Sequence, residues 1–99
     1  MPIFSENSAP VTPASLLIIN VGGVSQSVFP NQKRSYLLVQ NNSDTDMWLG
    51  IGTTPSVNNG IRLLPNGGGY VAEDGFIPSG EVRIFCTAGG KQFYALQGG

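Results

Sequence analysis

Histidine, the side chain that most often serves as general base or transition-metal ligand near neutral pH, is missing from these 99 residues. The single cysteine, Cys86, therefore has no imidazole partner for nucleophilic catalysis. Alone it can close neither an internal disulfide nor a multi-cysteine zinc site, so it reads as a small buried apolar side chain. The serines likewise lack a base to activate them. Lys and Arg number 5 against 6 Asp and Glu, for a net charge of −1, too few cations for a nucleic-acid groove. Lys33 and Arg34, near Tyr36 and Trp48 in sequence, come closest to a base-stacking surface, but they read as the solvated start of a strand. The expectation is a chain with no catalytic residues, no cofactor, no metal and no nucleic-acid partner.

The carboxylates support the same expectation. Asp44-Thr45-Asp46 lacks the glycine that an Asp-Thr-Gly protease loop needs, and a polar turn rather than an apolar strand precedes it. Asn42, Asp44 and Asp46 share the spacing of the first three ligands of a calcium loop. Its glycine position, however, holds Met47 and its glutamate position Thr53. Glu73-Asp74 are neighbours that a strand would send to opposite faces, and Gly75 after them favours a solvated turn. Gly50-Ile51-Gly52 runs into Pro55 where a dinucleotide fingerprint has its third glycine. Gly67-Gly68-Gly69 has no Lys-Ser or Lys-Thr after it, and following Pro65-Asn66 it reads as a hairpin turn or bulge.

Charged residues make up 11% of the chain, against about 25% in ordinary globular domains. Gly, Pro, Asn and Ser fall in clusters that punctuate the chain, separating short stretches rich in β-branched and aromatic residues. Eight strands are expected, at 15–21, 25–29, 35–41, 47–52, 60–64, 69–73, 81–87 and 92–97. Their number and spacing suggest a sandwich or barrel. No segment sustains a helical period. The longest stretch free of Gly and Pro, 31–49, is broken by the turn cluster Asn41 to Asp46. The longest apolar run, Leu16 to Ile19, is 4 residues, against about 20 for a membrane span. The N-terminus lacks the basic and apolar regions of an export signal, so folding in a cytoplasm is expected. Asn41-Asn42-Ser43 matches a glycosylation sequon that is expected to stay unused.

Alternation assigns the faces. Met47, Leu49 and Ile51 should face the core, leaving Trp48 outside with Gly50 and Gly52. Val82, Ile84 and Cys86 should point in, and Arg83, Phe85 and Thr87 out. The run containing Leu17 and Ile19 is apolar on both faces and should be covered twice, once by another subunit. Residues 1–14 carry Pro2, Pro10 and Pro13 and read as an extended arm, with Ile3 and Phe4 as its apolar anchors, ahead of a sandwich domain at 15–99. Ile3, Phe4, Leu17, Ile19, Trp48 and Phe85 are thus the expected interface residues.

From Arg34 to Gly98 the chain resembles small β-sandwich proteins of tailed-phage virions. The resemblance is carried by Arg34 before the strand Tyr36–Val39, then Gln40-Asn41-Asn42-Ser43, Met47–Gly52, the Pro55 loop and Gly60-Ile61-Arg62-Leu63. Ile77-Pro78, Val82–Phe85 and Ala88-Gly89-Gly90 complete it. By size it is most similar to capsid decoration, or cement, proteins. The resemblance implies an all-β, jelly-roll-like sandwich of about eight short antiparallel strands. It also implies a homo-oligomer, dimer or trimer, on the capsid exterior, bridging capsomers of the major capsid protein and touching no membrane. Tail, fibre and baseplate modules share the pattern. A small-ligand or glycan-binding sandwich, with Trp48 or Tyr70 as stacking platform, is the alternative of another class.

Overall fold

The computed structural model describes the backbone of residues 11–13 and 17–98 and the side chains of 17–98. These form nine strands: β1 (Val11–Pro13), β2 (Leu17–Ile18), β3 (Gln26–Phe29), β4 (Tyr36–Asn41), β5 (Met47–Ile51), β6 (Ile61–Leu63), β7 (Gly69–Ala72), β8 (Val82–Cys86) and β9 (Gln92–Gly98). No helix occurs among the described residues. Each of the eight expected strands has its counterpart; seven are shorter than expected, most of all 15–21, of which Leu17–Ile18 is strand, and the last extends one residue further, to Gly98.

One sheet runs β1-β9-β4-β7, with β2 pairing the same strand β9, and the other runs β3-β8-β5-β6. Every pairing is antiparallel. The register shows how one chain makes both sheets. Leu17 faces Phe93, Gln26 faces Ile84, Leu37 faces Ala72 and Met47 faces Leu63. Each step forward along the chain is matched by an equal step back, as in a single long hairpin. Its tip is the β5–β6 loop, where Ser56 bridges Asn59. Rolling this ribbon up so that β4 also pairs β9 and β5 also pairs β8 produces the two four-wide sheets of a jelly roll.

The fold has two ends. The β2–β3, β4–β5, β6–β7 and β8–β9 connections meet at one. There Asn66 N donates to Ser43 O (2.8 Å), and Gly90 N donates to Ile19 O (2.7 Å). The β3–β4, β5–β6 and β7–β8 connections meet at the other, where Gln32 N donates to Ser79 O (3.0 Å) and Gly52 N to Glu81 O (2.8 Å).

The apolar residues of alternate positions fill the space between the sheets: Leu37 and Val39, Met47 and Leu49, Val82, Ile84 and Cys86, Phe93 and Ala95. The predicted inward faces of β5 and β8 are therefore correct, including Cys86, which is a buried free thiol. Two expectations need correction. Residues 11–13, read as part of an extended arm reaching another chain, pair with β9 of their own chain, Val11 opposite Gly98 and Pro13 opposite Leu96. Proline's missing N–H is tolerated because β1 lies at the sheet edge. Ile19, expected at a subunit interface, is 1% exposed and belongs to the core, with Leu17 packed against the same core. Among the described residues of this run, Ile18 is the one exposed to solvent.

Candidate interaction surfaces

Trp48 and Phe85 sit directly opposite each other on neighbouring strands β5 and β8. Their rings meet edge to face, with centroids 6.3 Å apart and planes at 61°. Alternation put both on the outward face of this sheet, and neither belongs to the core cluster between the sheets. Yet Trp48 is only 7% exposed and Phe85 only 8%. The expected open anchor is thus a covered pair, and Trp48 offers no free stacking platform. Tyr70, the other expected platform, is half-buried and packs against the core.

Gly50 lies two residues along β5 from Trp48. It shares the outer face with Trp48, and a Cβ there would stand 2.6 Å from Thr53 O and 2.8 Å from Pro55 Cδ. The glycine makes room for the β5–β6 loop to fold back over the sheet, and Pro55 is fully buried in that turn. Position 50 is thus covered by the returning loop rather than left open on the outer face. Arg62 stands opposite Trp48 on β6, and its Nη2 lies 2.6 Å from Asp46 Oδ2. Ile3 and Phe4, the expected arm anchors, lie outside the described residues.

The sequence reading missed two polar devices. Period-2 alternation carries the inward row of β4 from Leu37 and Val39 to Asn41, and that of β9 from Phe93 and Ala95 to Gln97. Each row ends in an amide where the core meets a loop end. Asn41 is fully buried. Its Nδ2 donates to Thr45 O (2.8 Å) and Leu63 O (2.9 Å), while its Oδ1 accepts from Ser43 N (2.9 Å) and Ser43 Oγ (2.7 Å). The sequon asparagine is thus a bolt between two loops, with its amide nitrogen engaged.

At the opposite end Arg34, expected to be solvated, is 7% exposed. Its Nε donates to Gln97 Oε1 (2.9 Å), Nη1 to Pro78 O (2.7 Å) and Gly80 O (3.1 Å), and Nη2 to Pro30 O (2.9 Å). One side chain so ties the β3–β4 loop, the β7–β8 loop and β9. Loss of water around the guanidinium lowers its pKa from the ordinary arginine value, but arginine stays charged at any physiological pH. All four acceptors are neutral carbonyl oxygens.

Beside it lies a cavity of about 460 Å³ whose described lining is Lys33, Arg34, Ser35, Ile77 and Ser79. The same loop carries Phe76, which is 85% exposed. Val57 is exposed in the β5–β6 loop, and the remaining exposed apolar residues fall on the sandwich edges. Ile18, Val21 and Val24 flank the β2/β3 edge, and Ile61, Leu64 and Val71 the β6/β7 edge. Among the described residues no group of three or more His, Cys, Asp or Glu gathers as a metal site.

Comparison of the chain with protein-family models, with curated proteins and with solved structures finds no match.

Proposed function

We propose that this chain is a non-enzymatic structural protein of a tailed-phage virion. It decorates the capsid exterior and stabilises it as a homo-oligomer, dimer or trimer, that bridges subunits of the major capsid protein. The observation that carries this reading is the distribution of exposed apolar side chains over a rigid jelly roll. Ile18, Val21 and Val24 lie at one edge, Ile61, Leu64 and Val71 at the other, and Phe76 at a loop end. Single exposed apolar residues are ordinary on any surface. Groups on opposite edges of one sandwich suit a protein that must touch several neighbours at once. Each contact is modest, and an oligomer gains through effective concentration. A surface poor in charge fits burial in an assembly better than life as a free monomer.

The test uses heads stripped of, or assembled without, this protein. Added purified chain should bind them saturably and raise the temperature at which they rupture. Val71→Asp or Phe76→Asp should leave the sandwich folded and weaken that binding. Heads that take up no protein at any dose would refute the proposal.

A further inference from the structure

We propose that the cavity beside Arg34 binds a small organic carboxylate carried on a hydroxylated body, of the size of a sugar acid. The inference stands apart from the virion reading and rests on where, among the described residues, cations lack a carboxylate partner. The chain has five cationic side chains, and all fall among the described residues. Arg62 is paired with Asp46, Arg83 with Glu81 and Lys91 with Asp44. The two with no carboxylate among the described residues, Lys33 and Arg34, are adjacent and line one cavity.

Arg34 is held in place before any ligand arrives. Its four hydrogen bonds to carbonyl oxygens fix the guanidinium without neutralising it. Of its five N–H donors one is left over, and Lys33 adds an exposed ammonium beside it. A carboxylate would meet a fixed, partly desolvated cation and a mobile one, which strengthens attraction relative to two cations free in water.

The rest of the lining selects for a body. The volume of about 460 Å³ falls within the roughly 300–1,000 Å³ of small-molecule sites and exceeds what a bare carboxylate fills. Ser35 and Ser79 bring hydroxyls that can donate and accept, and Ile77 brings an apolar wall. A sugar acid matches each part, with a carboxylate, a hydroxylated edge and a C–H face.

The test is an amide NMR titration of the full chain with glucuronate, with acetate and glucose as controls. Glucuronate should give saturable shifts centred on Lys33, Ser35, Ile77 and Ser79. Acetate should bind more weakly and glucose should give no saturable shift. Lys33→Met, at an exposed position outside the Arg34 hydrogen-bond set, should keep the fold and weaken glucuronate about fivefold, the upper range for an exposed charge pair. Four results would overturn the proposal. These are no saturable glucuronate shift, glucose equal to glucuronate, acetate equal to glucuronate (a site for acidic side chains or adventitious ions only), or Lys33→Met without effect.

Discussion

Asn41 shows what one residue contributes at a loop end. Its amide makes four hydrogen bonds in a fully buried position, reaching Ser43, Thr45 and Leu63. Asn41→Ala would leave these buried groups unpaired and open a cavity. It should cost about 3 kcal/mol in denaturant unfolding, and Ser43→Ala about 1 kcal/mol. If Asn41→Ala costs no more than Ser43→Ala, the bolt is not structural. Lys91 and Asp44 join two loops at the same end of the fold, with Nζ 2.7 Å from Oδ1. The Lys91 hydrogen bond, aided by one from Thr45 and by the ammonium charge, holds the Asp44 carboxyl below its ordinary range. A carboxyl depressed in the folded state contributes stability above its unfolded pKa and loses it as pH falls through the folded one. The small contribution of this exposed pair should therefore vanish only in acid below the usual aspartate range. In Lys91→Met, NMR titration should find Asp44 moved back up toward the ordinary value. An unmoved Asp44 would show that the lysine is not the cause.

Strand β5 marks the limit of what alternation can tell. Its period of 2 placed Met47 and Leu49 in the core and Trp48 outside, and Phe85 on β8 followed the same rule. Alternation says which way a side chain points and nothing about what later folds over it. The long β5–β6 connection returns across this outer face at Gly50, a contact set by tertiary packing. Gly50→Ala should therefore cost about 1–3 kcal/mol through overpacking against Thr53 and Pro55, measured by thermal or chemical unfolding. Trp48→Ala and Phe85→Ala should each destabilise by about 3 kcal/mol, with a coupling of about 1 kcal/mol in the double-mutant cycle. Additive losses would mean that the edge-to-face pair contributes nothing specific. Arg34 and Gln97 escaped the reading for a related reason. A polar residue in phase with an apolar row was visible in the sequence, but its partners come from loops far away in the chain, such as Pro78 and Gly80. The clue that could have found them was a polar residue in phase at the end of each apolar row, Asn41 and Gln97.

At the scale of the whole molecule, the turn clusters and apolar alternation gave eight of the nine strands, their order along the chain and the inward faces of β5 and β8. They did not give the pairing, which follows from folding one long ribbon back on itself and then rolling it. That topology leaves β6 and β7 on one side of the sandwich and β1, β2 and β3 on the other, so the exposed apolar groups fall on opposite edges. An oligomer on a capsid would cover them, and the purified protein should accordingly run as a dimer or trimer in native mass spectrometry. The proposed capsid role is tested most directly by cryo-electron microscopy of tailed-phage particles produced from a genome that carries this sequence, as the proposal requires. The expected result is this jelly roll as symmetric dimers or trimers on the outer capsid surface, spanning neighbouring capsomers through its edges. A particle that carries the protein only in its tail, or not at all, would contradict it.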